Sequence, residues 1–349
     1  MKKIYQDTTF YLIIFIVSYF IYIYPFEILN NLIFNEEIPI KTSLYYTLLV
    51  SALVILYFRV KINLFPLKFF VYEGMGVGFI SFCIINITLI FSYLGNFDKF
   101  YLGIFAIILI IIFSFLSLVI AKFIFIKNIR IYSDNIKKNY NFIFISDIHL
   151  GSNSINHFKR ILKKINTLDY DFILIGGDLI DSSSFEIKKL SILNKINKPI
   201  FFVTGNHEYY ISRYKEKLSK LDNYNINYLK NDKFIFQDLN IIGVDDNIKN
   251  EQKIEIVKKL IDKSKFNIAL LHKPSIWDEI KNNTNLMISG HTHNGQIFPF
   301  NFIVKIKFKH NYGLFKKTNT DLYVSSGSGC WGPRMRLGSD NEIVVLEFN

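Results

Sequence analysis

Residues 142–151 read FIFISDIHLG. Four apolar, β-branched or aromatic residues give way to a polar, glycine-ended stretch, which predicts a short buried strand that stops at a loop. A carboxylate and an imidazole, Asp147 and His149, then stand just beyond a strand end. The same event recurs down the chain. The run 172–175 leads into Gly176-Gly177-Asp178, and 200–203 into Thr204-Gly205-Asn206-His207-Glu208. Run 267–271 delivers His272, and 286–288 ends in Gly290-His291-Thr292-His293. A further strand is expected at 241–244, and stretches 155–165, 185–193, 210–221 and 251–261 repeat their apolar residues with helical period. Alternating strands and amphipathic helices predict an α/β layered domain.

Upstream the composition changes. Up to Ile126 apolar and aromatic residues crowd together, and a chain of 349 residues is long enough for two domains. The division expected is a transmembrane helical domain over 1–126 and the α/β domain over 127–349. Four apolar runs, 9–24, 43–58, 69–94 and 101–126, are read as about four membrane spans with aromatic residues clustered at their ends. The first resembles a signal peptide in its Met-Lys-Lys start, but it ends in Tyr-Pro-Phe-Glu with no small-residue cleavage site, so it is read as a retained anchor.

Eight Lys and Arg stand against six Asp and Glu up to Ile126, and 33 against 23 after it, so the basicity belongs to the second part. It suits an anionic lipid surface or an anionic substrate, or it reflects a general bias toward Lys and Asn. No aromatic-interleaved basic motif points to nucleic acid, and no nucleic-acid polymer is expected as a partner. In the short loops Lys2, Lys3, Arg59, Lys61, Lys68, Lys122, Lys127 and Arg130 fall on one side of the four runs. By the positive-inside rule that side is the cytoplasm, which predicts a multi-pass protein of the inner (cytoplasmic) membrane with a cytoplasmic catalytic domain. Glu73, the one carboxylate inside a run, is expected to reach the headgroups beside Lys68. Cys83 and Cys330 give no disulfide framework and no metal-ligand spacing.

Carboxylates, imidazoles and an amide gathered at five strand ends suit a dinuclear metal site, because glycines between them let backbone pass close to the ions. Two cations repel one another and require a shared anion. A central carboxylate or a hydroxide derived from water serves.

In order, DIHLG, GGDLID, GNHE, the His of LLHKP and GHTH resemble the calcineurin-like metallophosphoesterases, over about Arg130 to Asn349. GNHEYY, GVDD, GHTHNGQI and GSGCWGPRMRLG look most like the bacterial membrane-associated phosphodiesterase branch. The resemblance implies a four-layer α-β-β-α sandwich. It implies that Asp147, His149, Asp178 and His293 hold one metal, and that Asp178, Asn206, His272 and His291 hold the other, with Asp178 bridging. Mixed N and O ligands suit Mn, Fe or Zn. Such a pair lowers the pKa of a water between the ions and holds phosphoryl oxygens for in-line attack. Asp178 and His207 are the expected catalytic residues, His207 stabilising the phosphoryl group or protonating the leaving group. Asp181 and Glu208 are candidate acceptors that orient imidazoles. His157 and His310 are left outside the site. Arg336, in a loop with Arg334, matches the family's Arg and is a candidate substrate clamp, with support of the loop as the alternative. Where the branch has Gly this chain has Asn294, which narrows the rim or adds a polar contact.

The activity expected is hydrolysis of a phosphodiester, phosphomonoester or pyrophosphate. Tethering at a membrane favours a lipid-linked substrate, and the resemblance allows UDP-2,3-diacylglucosamine, a step of lipid metabolism. A phosphodiesterase acting on soluble nucleotides is the alternative, and a catalytically silent membrane scaffold or sensor is the reading from another class.

Overall fold

The computed structural model describes residues 2–60, 64–133, 136 and 138–348; Lys61 and positions 134, 135 and 137 lie outside the described residues. The chain forms two compact units, Met1–Ile120 with Gly332–Leu337, and Ala121–Trp331 with Gly338–Asn349.

In the helical unit α1 (Lys2–Ser18) passes through a π-helical turn at Tyr19–Ile23 into α2 (Tyr24–Phe34), followed by α3 (Ile40–Val60), α4 (Phe65–Leu94) and α5 (Lys99–Ile120). Pro25 lies in the first turn of α2, where its missing N–H is tolerated, so the helix continues beyond Tyr24. Pro25 cannot donate back to Ile21, and the Ile21 carbonyl meets α4 instead. A Cβ at Gly78 would lie 2.2 Å from that oxygen, so this approach requires glycine. Thr8–Phe34, Ile40–Arg59, Pro66–Leu94 and Lys99–Ile120 are long and apolar enough to cross a membrane. Glu73 does not reach outward as expected. It is 3% exposed, and its Oε1 lies 2.7 Å from Nε of Arg334, which belongs to the same unit.

The fourth apolar run does not stay helical to Ile126. Helix α5 stops at Ile120, and the β-branched and aromatic residues that follow form β1 (Phe125–Ile131). The remaining strands are β2 (Tyr140–Ile145), β3 (Phe172–Ile175), β4 (Ile200–Phe202), β5 (Ile226–Tyr228), β6 (Asp232–Phe236), β7 (Leu239–Gly243), β8 (Phe266–Leu270), β9 (Leu286–Ser289), β10 (Gly313–Lys317), β11 (Thr320–Val324) and β12 (Glu342–Phe348). Among the described residues they make two six-stranded sheets, ordered β1-β12-β2-β3-β4-β5 and β10-β11-β9-β8-β7-β6. Both are mixed: β2, β3, β4 and β5 run parallel, as do β7, β8, β9 and β11, while β12 is antiparallel to β2 and β10 to β11.

The period of two along each strand sorts side chains between layers. Phe142 and Phe144 of β2 meet Phe172, Leu174, Phe201, Ile241, Ile268 and Leu286 between the sheets. Their neighbours Ile143, Ile145, Ile173 and Ile175 face the opposite way, against Phe158, Ile161 and Ile165 of α6 (Ile155–Ile165). On the far side, Ile242, Ala269 and Met287 pack against Val257 of α8 (Asn250–Leu260) and against Trp277 and Ile280 of α9 (Trp277–Ile280). Three cores between four layers give the α-β-β-α sandwich. Two expected helices are reduced: 187–195 is a 3-10 segment, and 210–221 holds only α7 (Tyr214–Leu218). There the Ser212 N–H donates to Ser183 Oγ at 2.8 Å, a partner outside the helix ladder. Helix α10 (Phe300–Lys307) follows the last histidine motif.

Candidate metal centre

Parallel strands β2, β3 and β4 end together, as do β8 and β9, and the loops beyond those ends carry Asp147, His149, Asp178, Asn206, His207, His272, His291 and His293. Ligand atoms of Asp147, His149 and His293 lie within 4.8 Å of one another, as do those of Asp178, His272 and His291, and those of His149, Asp181 and His207. The Oδ2 atom of Asp178 stands 3.2 Å from His272 Nε2, 3.8 Å from His149 Nε2 and 4.0 Å from His207 Nε2, at the junction of the groups. On one side of it His149 Nε2 faces His293 Nε2 at 3.2 Å, and His293 Nε2 is 3.5 Å from Asp147 Oδ1. On the other, His291 Nδ1 faces His272 Nε2 at 3.0 Å.

Backbone geometry is unusual at five of these residues. Asp147 (φ 54°), His149 (φ 51°), Asp178 (φ 51°), His291 (φ 73°) and His293 (φ 49°) all adopt left-handed conformations. Each costs an L-residue on the order of 1–3 kcal/mol and persists only where its surroundings hold it, which is common at functional sites. Gly177 (φ 90°) shows how close the loops run: a Cβ there would lie 2.6 Å from the Gly205 nitrogen and 2.7 Å from His272 Nδ1.

Supporting contacts fix the donors. The Nδ1 atom of His272 is 2.8 Å from the Gly176 carbonyl, which directs Nε2 toward Asp178. Asp147 accepts the His291 N–H, and Asp178 Oδ1 accepts the His207 N–H at 2.9 Å. Asp181 Oδ2 lies 3.4 Å from His149 Nδ1, the ring nitrogen opposite the one that faces His293. Glu208 serves differently from the expectation. Among the described residues its hydrogen bonds are with backbone N–H groups of Asp178 (3.0 Å), Ile180 (2.9 Å) and Gly205 (2.7 Å), tying the loops after β3 and β4 together.

Electrostatics at the centre are those of a cation site. Burial penalises the ionised Asp178, but the charge and hydrogen bond of His272 outweigh that and hold the carboxyl well below its usual range. Burial likewise opposes the charged form of His272, yet Asp178 and Asp147 push it up to about 10, so a proton sits where carboxylates converge. Burial and the neighbouring His272 drive His291 down to about 2, leaving its nitrogen a lone-pair donor. Burial takes His207 to about 4. The Asn206 Oδ1 atom is buried with no hydrogen-bond partner, an acceptor left for a cation. Carboxylate, imidazole and amide donors so placed fit divalent metal binding.

The other named residues divide clearly. His157 is satisfied within the fold, its Nε2 2.6 Å from the Ser328 carbonyl, and His310 packs its ring on Trp277. Asn294 adds a polar contact, accepting from Asn311 Nδ2 at 3.2 Å, and it keeps the left-handed backbone (φ 49°) that glycine would supply and asparagine tolerates. Arg336 lies in the helical unit, fully buried, its backbone N–H donating to the Ser117 carbonyl at 2.9 Å. Three features escaped the sequence reading. Asp245 accepts from Thr204 Oγ1 at 3.0 Å, bracing the loop that carries Asn206. Trp331, 52% exposed, places its ring 5.9 Å from that of His207. Gln296 fixes Trp331 by bonding both its backbone N–H and its carbonyl at 2.9 Å. The Gly-rich loop around Trp331 was the available signal.

The model of the calcineurin-like phosphoesterase family matches residues 140–295. An uncharacterized metallophosphoesterase of Campylobacter jejuni is 33% identical over 288 residues, covering 75% of this chain and 75% of that protein. One from Helicobacter pylori strain 26695 is 36% identical over 235 residues, 64% of this chain and 63% of the relative, so the chain spans just under two thirds of that protein. A Bos taurus transmembrane protein with metallophosphoesterase domain is 32% identical over 230 residues, 58% of this chain and 52% of that one. Two-sheet sandwich, ligand clusters and relatives agree: the chain belongs to the calcineurin-like metallophosphoesterases.

Proposed function

We propose that this chain is a membrane-anchored phosphoesterase that uses two divalent metal ions, Mn, Fe or Zn. The observation that carries the reading is the place of Asp178, one carboxylate oxygen within 4.0 Å of ring nitrogens of His149, His207 and His272. Asp147, His149, Asp178 and His293 would hold one ion, and Asp178, Asn206, His272 and His291 the other. When bound, the metals supply Lewis acidity toward a phosphoryl group and a water molecule. The chain's own residues do the rest. Asp181 and the Gly176 carbonyl aim the imidazoles of His149 and His272. His207, with its side chain 15% exposed, is the imidazole placed to meet a phosphoryl oxygen or leaving group from the open side.

Four helices of membrane-spanning length and a bovine relative named as a transmembrane protein support anchoring. The distribution of Lys and Arg favours a cytoplasmic catalytic unit at the inner membrane. Tethering favours a lipid-linked phosphoester over a soluble nucleotide, with UDP-2,3-diacylglucosamine one specific candidate.

Purified chain loaded with Mn²⁺ should hydrolyse bis(p-nitrophenyl) phosphate. Asp178→Asn should abolish turnover, and His207→Ala should lower it roughly 10²–10⁴-fold, the range for loss of a general acid or base. A metal-loaded wild type no faster than either variant would refute the assignment.

A further inference from the structure

Helix α10 follows His291 and His293 in sequence and precedes β10, and none of its eight residues is buried. Phe302 is 56%, Ile303 55% and Ile306 86% exposed, and Phe298 just before the helix is 51% exposed. At 3.6 residues per turn Phe302, Ile303 and Ile306 share one face, and Lys305 and Lys307 fall about 100° to either side of it. Lys309 follows. An exposed apolar face flanked by lysines is the pattern of a helix lying in a membrane interface, lysine stems reaching to anionic headgroups. The chain also supplies the occupant, because its four spanning-length helices hold it at a bilayer.

The segment is tied to the metal centre at both ends. His293 precedes it, and Phe308, just past its C-terminus, packs its ring on that of His291 with centroids 5.1 Å apart. Between His293 and Phe298, Gln296 grips the backbone of Trp331, whose exposed indole stands against His207. Phe298 in turn packs on Phe302, centroids 5.7 Å apart, so the apolar face extends toward the rim of the site.

We infer that α10 inserts its Phe302–Ile303–Ile306 face into an anionic bilayer surface and so sets the metal centre at headgroup level, where it takes the phosphoester of an amphiphile whose acyl chains stay in the membrane. The choice of substrate class rests on the phosphoesterase reading; the membrane contact does not. The flanking charges are all basic and the face between them is wholly apolar, which suits an anionic bilayer surface.

The test uses the full chain, one copy per nanodisc containing phosphatidylglycerol, in a Cys83→Ala, Cys330→Ser background. A bimane on Ile306→Cys should be quenched by doxyl-labelled lipid and shielded from aqueous iodide. Full access to iodide with no lipid quenching overturns the inference, and so does shielding from both quenchers, which would mean that another part of the chain covers α10. Shielding that needs two copies per disc would assign the face to a second copy instead, and equally overturns it. In parallel, Phe302→Asp with Ile306→Asp should slow hydrolysis of a disc-embedded dioleoylglycerol p-nitrophenyl phosphate about tenfold or more, given the apolar burial lost. Hydrolysis of soluble bis(p-nitrophenyl) phosphate should stay unchanged. An equal fall on both substrates contradicts the substrate assignment. Lipid quenching at position 306 without hydrolysis of either substrate leaves the membrane contact standing and removes the phosphoesterase reading.

Discussion

Glu208 accepts three backbone N–H groups, and that single carboxylate decides where Asp178 stands. Burial pushes it up to about 7, so its grip on the loops comes from donors that favour the charged form against desolvation that does not. Replacing it with Gln turns one of its oxygens into a donor facing N–H groups. Glu208→Gln should therefore cost about 1–3 kcal/mol, the penalty for a buried group left unpaired, and should lower metal occupancy along with it. Thermal unfolding with metal analysis of the same sample checks this; an unchanged melting temperature would contradict it. Most of the site's residue types were legible in the sequence because each ligand follows an apolar run. Their left-handed backbone was not legible, since nothing in the identity of Asp147 or His149 announces a positive φ. Nor was the role of Glu208, whose partners are main-chain atoms from two loops.

Strand β3 and residues 268–271 at the end of β8 were readable as continuous apolar runs because both their faces are covered, one by the other sheet and one by helices. The edge strands β5 and β6 were not. Their residues are short, polar or exposed and show no clean alternation. Strand β1 starts at the tail of the fourth apolar run, at Phe125 and Ile126, where periodicity alone does not separate helix from strand. Its partner β12 closes the first sheet, pairing with β1 on one side and β2 on the other. Phe348 of β12 is fully buried, stacked on Phe142 with ring centroids 5.4 Å apart and edge-on to Phe266 at 5.0 Å. Phe348→Ala should destabilise the two-sheet unit by about 3–5 kcal/mol, as large-to-small changes in packed cores do. Chemical denaturation followed at the catalytic unit measures it, and a loss below about 1 kcal/mol would show that β12 is dispensable to the core.

Across the whole molecule, the C-terminal segment Gly332–Leu337 belongs with the apolar helices, and its Arg334 supplies the cation for Glu73. A carboxylate inside an apolar run was visible in the sequence; its partner, 261 residues away, was not. Arg334→Gln should lower the thermal stability of the detergent-solubilised chain, and adding Glu73→Gln should restore part of it, because a buried carboxylate without a partner is worse than none. Strictly additive losses would rule the pair out. Coordination of a pair of ions around Asp178 is the claim on which activity and substrate both depend. Anomalous diffraction at the manganese edge from crystals of the Mn-loaded chain tests it most directly. Two peaks flanking Asp178, one beside His149 and His293 and one beside His272 and His291, are the predicted result; no peak at Asp178 in the loaded protein would contradict it.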